Sequence, residues 1–447
     1  MSTTLTSGEE ITVDDRPSWQ RRKIGYLPAL DGLRAVAVIL VFGYHLGYSG
    51  MAGGYVGVEM FFVLSGWLVC ALLVNERHRT GAIRTGQFWL RRARRLLPAM
   101  VITVAGTLIV AAAVQPDRVA DLRREAFAAL TYHLNWQLIL DHRSYFAAAD
   151  GPSALEHLWS LSIEEQFYLV FPLLCGLVLV RGARSRAVKI ALAGALAATV
   201  WRLALHDPHG DPTRLWFGTD TRAAGLFLGV ALAMVWTPNR LRPHAARAFT
   251  AVLDGVAVAA AVVVGWYALS VSERDPTAFG WGLTLVDVAT LALIAVAVYP
   301  APTGTVWLLS RGPLRWVGRR SYGIYLIHWP VIVFLARAPG EQPASPQRTM
   351  AMVALVLALS ALSFRYVEEP IRRQGLVAAA RERSARLGGA AQGRPVVAAG
   401  LAATAVVLVG TVMAVTHDVA TATAPETGAG RSVRIVPGGT TTTATAD

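Results

Sequence analysis

The chain has 447 residues, 54% of them hydrophobic and 16% charged, and a mean hydropathy of +0.44, which excludes a soluble domain of this length and indicates a polytopic helical membrane protein. The net charge of +13 sits in clusters between apolar runs, a pattern of cytoplasmic loops and not of a nucleic-acid surface. Two cysteines, Cys70 and Cys175, lie within apolar runs without short-range partners, so neither a disulfide framework nor a metal site is expected.

In chain order, residues 1–24 read as a disordered cytoplasmic segment with no apolar core that a cleaved signal would need. Eleven spans are predicted, at 30–50, 54–75, 98–114, 157–180, 190–206, 220–236, 249–271, 280–300, 320–336, 349–365 and 395–416. The stretch 116–146 is amphipathic and is expected to lie on the surface or to be partly inserted. Residues 374–394 read as a cytoplasmic linker with a basic helix, and 417–447 as a disordered tail rich in Thr, Ala and Gly. Lys and Arg fall on alternate sides of these spans. The positive-inside rule therefore puts the N-terminus in the cytoplasm and the C-terminus outside a bacterial inner (plasma) membrane.

The first span, LDGLRAVAVILVFGYHLGYSG, carries Asp31, Arg34 and His45. Arg34 and His45 are eleven residues apart, close to three helical turns, so both project from one face about 16 Å apart along the axis. Ionisable groups inside a span are costly to bury and mark a functional site by default. By the predicted topology Arg34 lies near the cytoplasmic end and His45 in the outer half. The second span holds Glu59, a carboxylate in an apolar run that needs a partner or a proton, among glycines suited to close helix packing. Phe88–Pro98 presents Arg91/Arg94 and Arg92/Arg95 at i,i+3, guanidinium pairs that suit a CoA nucleotide, a lipid head group or simply the positive-inside rule. Pro98 is read as the first turn of the next helix.

The segment LEHLWSLSIEEQFYLVFP concentrates Glu156, His157, Ser160, Ser162, Glu164 and Glu165 where the chain should enter the bilayer from outside. A serine and one acid there could cap the helix and favour its dipole. The depth also matches His45, and a carboxylate beside a histidine is a familiar way to activate a hydroxyl, so Glu164 or Glu165 is expected to orient His45. Further on, TDTRAAGLFLG contributes Asp220 and Arg222, SYGIYLIHWP contributes Tyr322, Tyr325 and His328, and RYVEEPIRR contributes Glu368 and Glu369 among arginines, a cluster that also suits a structural ion network.

The motifs DGLRAVAVILVFGYH, GGYVGVEMFFVLSGWLV, RRARRLLPA, HLWSLSIEEQFYLVFP, TDTRAAGLFLG, SYGIYLIHWP and RYVEEPIRR occur in this order over about 25–373, and together they resemble the membrane-bound acyltransferase-3 family. The resemblance implies an all-α core of ten transmembrane helices at 25–373, here followed by one extra C-terminal helix. It implies transfer of an acyl group, often acetyl, from cytoplasmic acyl-CoA to an acceptor outside, commonly a carbohydrate, glycolipid or glycosylated metabolite hydroxyl. By position, Arg34 and His45 would be the signature pair, and Arg92 and Arg95 the cytoplasmic arginine motif that holds CoA. Glu164, Glu165, Arg222 and His328 fall in the remaining polar motifs, with Arg222 expected among the donor-binding residues. Asp31, Glu59, His157, Ser160 and Tyr322 are further candidates. Glu59 stands where Asp is usual, and Trp67 where Phe is common. Many relatives continue into an extracytoplasmic hydrolase-like domain, which this chain is expected to lack or to replace with a separate partner. No bound cofactor is expected, acyl-CoA being a substrate.

The expected chemistry has neutral His45 deprotonating the acceptor hydroxyl, which attacks the thioester while Arg34 holds the donor or offsets developing charge. An acyl-histidine intermediate is an alternative. Two other classes compete. A transporter or flippase of a polar lipid or sugar would equally bury charges but would not consume acyl-CoA. A membrane sensor or scaffold would be indifferent to changes at Arg34 and His45.

Overall fold

Backbone polar groups in a bilayer must be satisfied within their own segment, and apolar runs of this length therefore fold as helices. The computed structural model describes residues 24–141, 151–181, 184–238, 241, 246–335 and 345–375, and shows no strand among them. The helices are α1 (Pro28–His45), α2 (Val56–Thr80), α3 (Thr85–Val114), the short α4 (Val119–Leu130) and α5 (Leu134–Leu140), α6 (Leu158–Arg181), α7 (Arg184–Leu205) and the short α8 (Thr213–Phe217). They continue with α9 (Thr219–Val235), α10 (Arg247–Ser270), α11 (Leu283–Ala297), the short α12 (Gly304–Leu309), α13 (Gly312–Leu335), α14 (Pro346–Ser363) and α15 (Glu369–Gln374). A π turn at Ala278–Gly282 leads into α11, and another at Phe364–Glu368 joins α14 to α15.

Seven helical stretches among the described residues are long and apolar enough to cross a membrane: Pro28–His45, Val56–Thr80, Thr85–Val114, Arg184–Leu205, Arg247–Ser270, Ala278–Ala297 and Pro346–Gln374. The chain is thus a multi-pass membrane protein. The predicted spans 157–180, 220–236 and 320–336 coincide with α6, α9 and α13, which are helices but fall outside that set. Of these, α9 has only 17 residues, and α13 carries Arg315, Arg319 and Arg320. The predicted eleventh span at 395–416, most of the linker and both terminal segments lie outside the described residues.

The structure corrects the role of Pro98. It lies inside the 30-residue α3 and does not begin a helix. Proline inside a helix costs about 3 kcal/mol through a lost backbone bond and a steric clash. The neighbouring Leu96, Ala99 and Met100 are buried, and that packing carries the helix through. At about 45 Å, α3 exceeds the ~30 Å hydrocarbon layer, so it can cross and still extend its basic first turns beyond it. The amphipathic stretch 116–146 supplies α4 and α5, both too short to span.

The most buried long helix is α2, which packs against α1, α9 and α11. Its contact with α9 is backbone to backbone. A Cβ at Gly66 would stand 2.0 Å from the Leu226 carbonyl oxygen, and one at Gly229 would stand 2.3 Å from that of Val63. The small residues read as packing devices in the sequence therefore act as such. A second close approach joins α1 to α13, where a Cβ at Gly318 would stand 1.8 Å from the Asp31 carbonyl oxygen. From that point α1 and α13 run side by side in the same direction, Arg34 meeting Ser321 and His45 meeting His328.

Gly66→Ala and Gly229→Ala should each destabilise the detergent-purified protein by about 1–3 kcal/mol through overpacking, read as a lower thermal midpoint. Gly106→Ala, where an added Cβ meets nothing within 4 Å, should leave the midpoint unchanged or raise it.

Candidate active site

Two adjoining cavities gather the polar residues of α1, α2, α3, α6 and α13. The larger has about 810 Å³ of space between its lining atoms, part of it open to solvent. Arg34 reaches it from α1, Arg92 and Arg95 from α3, Ser160 and Glu164 from α6, and Tyr322 from α13. The i,i+3 arginine pairs divide: Arg92 and Arg95 face the cavity, whereas exposed Arg91 bridges to Glu76 at 3.2 Å. Arg34 donates through Nε and Nη2 to Ser321 Oγ, at 3.1 and 3.0 Å. Arg92 lies over the Tyr168 ring, 4.0 Å from its centroid. Glu164 accepts from Ser65 Oγ at 3.1 Å and from the Tyr168 hydroxyl at 3.0 Å.

Among the described residues, Arg34, Arg92 and Arg95 make no ion pair with a carboxylate within 4.0 Å. Three guanidinium groups thus share one cavity with a single carboxylate, Glu164. Such a lining favours an anion with several oxygens, because each fork can donate two parallel hydrogen bonds.

The smaller cavity, with about 340 Å³ of space between its atoms and partly open to solvent, contains His45, Glu156, His157, Tyr44, Tyr55 and Trp329 in its lining. Val58 and Tyr325 line both cavities and form the wall between them. The Tyr325 hydroxyl is tied across α6, donating to the His157 carbonyl at 2.8 Å and lying 2.6 Å from Ser160 Oγ. His45 Nδ1 lies 2.9 Å from His328 Nε2, and Trp329 packs on the His45 ring with centroids 4.5 Å apart.

The neighbour of His45 differs from expectation. In place of a carboxylate from Glu164 or Glu165, the structure puts His328 against it. Glu164 sits further along α6, in the arginine cavity, and Glu165 is buried one position on and lines neither cavity. The physical reason is the helix rise: the loop before α6, carrying Glu156 and His157, already reaches the depth of His45. Glu164 follows about 12 Å later, at the depth of Arg34.

Arg222 is also displaced from its expected role. It pairs with Glu59 at 2.7 Å, the two side chains 0% and 1% exposed, and lies among Phe62, Trp159 and Trp216. The close seating of α9 on α2 turns Arg222 toward Glu59 and away from the donor-side arginines. Asp287 and Arg202 are buried beside the pair, and Arg202 donates to Thr284 Oγ1 at 2.6 Å. The remaining candidates are placed as follows. Asp31 accepts from the Tyr26 hydroxyl at 2.5 Å at the start of α1, outside both cavities. Tyr322 lines the larger cavity while donating to the Leu96 carbonyl at 2.8 Å. His157 lines the smaller one and donates through Nε2 to the Leu326 carbonyl at 3.1 Å. Glu369 takes up Arg372 and Arg373 at 2.5 Å each, a local ion network at the end of the last described helix.

The sequence profile of a family described as an acyltransferase domain, acyltransferase-3, matches residues 27–365. The chain belongs to the acyltransferase-3 family. Two of its relatives agree on the chemistry. One, named peptidoglycan O-acetyltransferase OatA, from Listeria monocytogenes, is 39% identical over 354 residues, covering 79% of this chain and 57% of the relative. Another, named O-acetyltransferase OatA, from Staphylococcus aureus, is 37% identical over 354 residues, covering 79% of this chain and 58% of the relative. The chain thus spans little more than half the length of those curated relatives. No solved structure matches it.

Breaking the Glu59–Arg222 pair should destabilise the protein by about 3–5 kcal/mol, because one buried charge is left unpaired. Arg222→Ala and Glu59→Ala should each sharply reduce the monodisperse protein recovered after detergent extraction. The double change Glu59→Leu with Arg222→Met should recover part of the loss. Full recovery of either single variant would assign Arg222 elsewhere.

Proposed function

We propose that this acyltransferase moves an acetyl or similar short acyl group from acyl-CoA to a hydroxyl of a cell-wall glycan, with His45 as the general base. The observation that carries the reading is the pair of adjoining cavities, one lined by three arginines without a carboxylate ion pair and the other by His45. The names of the relatives support an O-acetyl product, and in one case peptidoglycan as the acceptor. The positive-inside pattern supports a cytoplasmic donor and an outer acceptor.

In this reading Arg92 and Arg95 hold the phosphates of acyl-CoA and Arg34 holds the pantetheine or the acyl carbonyl. The thioester must then cover about 16 Å along α1 to reach His45, passing the wall of Val58 and Tyr325. His45 takes the proton of the glycan hydroxyl as its oxygen bonds to the acyl carbon. The carbon–sulfur bond breaks, and the thiolate recovers the proton from His45 as free CoA. Holding the three groups together supplies the orientation on which such a step depends. A carrier would move its cargo without releasing CoA, and membership of an acyltransferase family stands against it.

In proteoliposomes with acetyl-CoA and a soluble glycan fragment, His45→Ala should abolish CoA release while leaving acetyl-CoA binding intact. Arg92→Ala and Arg95→Ala should each raise the KM for acetyl-CoA about 10- to 100-fold, as expected for loss of a charge-assisted contact of about 1.5–3 kcal/mol. Wild-type turnover by the His45 variant would overturn the base assignment.

A further inference from the structure

The histidine pair contains more information than the distance between its rings. His328 is 0% exposed, and its Nδ1 faces two backbone carbonyls on its own helix, Tyr325 O at 2.7 Å and Ile324 O at 3.2 Å. A carbonyl oxygen only accepts, so Nδ1 carries a hydrogen. An unpaired charge is expensive at such depth, and among the described residues no carboxylate is bonded to this ring, so the neutral form is the one that fits. Its Nε2 is then a bare acceptor. That atom lies 2.9 Å from His45 Nδ1, which must donate to it. The two rings are inclined by only 32°, an arrangement compatible with an in-plane N–H···N bond. With its one hydrogen held on Nδ1, neutral His45 presents Nε2 as the basic nitrogen.

His157 does not disturb this chain. It meets His328 edge to face, with centroids 5.6 Å apart, and its own Nε2 is committed to the Leu326 carbonyl. Trp329, the residue after His328, covers the His45 ring and is itself held by an indole N–H bond of 2.7 Å to the Ser153 carbonyl.

We propose that His328 is a positioning residue that, by handing the order of its own helix backbone to His45 through one N–H···N bond, selects the His45 tautomer whose Nε2 takes the acceptor proton. This rests on the assignment of His45 as the base. It differs from the usual carboxylate-oriented histidine in using a neutral acceptor, whose orientation is enforced by carbonyls of α13 and not by a charge. Such a partner brings no counter-charge of its own to the His45 ring, and so does not hold the proton of protonated His45 against its return to the departing thiolate.

The test uses the full chain in proteoliposomes with acetyl-CoA and a glycan fragment, comparing His328→Leu, His328→Gln and His45→Ala, alone and combined. Glutamine can offer an amide oxygen close to where Nε2 stood, whereas leucine offers no acceptor. We expect His328→Leu to lower kcat at least about 100-fold while KM for acetyl-CoA stays within about threefold. His328→Gln should return kcat to within about 10-fold of wild type, and His328→Leu should add nothing in the His45→Ala background. A His328→Leu enzyme with wild-type kcat overturns the proposal. So does a His328→Gln enzyme as inactive as the leucine variant when both bind acetyl-CoA normally. An active His45→Ala enzyme is a different failure, which removes the base assignment itself and with it the role of its partner.

Discussion

The contact between α1 and α13 is what the candidate site depends on. The two helices meet at Gly318, where only a missing side chain lets the Asp31 carbonyl approach, and then run in the same direction. That single seating sets Arg34 against Ser321 and, three turns along α1, His45 against His328. Tyr322 and Tyr325 come from the same stretch of α13 and complete the larger cavity and its wall. One helix pair therefore holds both ends of the proposed transfer path in fixed relation, and the other helices add to it.

The same physical rule sorts five of the buried or cavity-facing charges into two groups. A charge inside a membrane-embedded bundle has to be paired or has to face a polar cavity. Glu59 and Arg222 satisfy the rule by pairing, enclosed by aromatic rings at 0–1% exposure, and they join α2 to α9. Arg34, Arg92 and Arg95 satisfy it by facing a cavity, Arg34 bonded to the Ser321 hydroxyl and Arg92 lying over the Tyr168 ring. Structural charges are those already neutralised by their neighbours, and the groups left for a substrate are those that are not.

Much of this was legible in the sequence, and the limits have clear causes. Helical periodicity alone put Arg34 and His45 on one face, and the i,i+3 arginines were visible before any fold, with the family resemblance singling out Arg92 and Arg95. The pairing of Glu59 with Arg222 and of His45 with His328 could not be read, because each joins residues more than 160 positions apart on helices whose neighbours no local pattern names. Glu164 was placed near His45 because both belong to the polar ends of their segments. The count of residues down α6 instead puts it level with Arg34, and that arithmetic was available in the sequence. Tyr168 and Ser321, both passed over as candidates, sit inside motifs that were already singled out, each within four residues of a named acid or tyrosine. Pro98 misled because its local rule, helix start, was overridden by tertiary packing in a long helix.

The central claim is a donor site and an acceptor site at opposite ends of one path through the bundle. It is tested most directly by a sided transfer assay in proteoliposomes of uniform orientation, with labelled acetyl-CoA on one side of the membrane and a glycan fragment on the other. The account predicts label on the glycan only when acetyl-CoA is supplied at the face bearing Arg92 and Arg95, and none when the two substrates exchange sides. Equal transfer from either arrangement would contradict it.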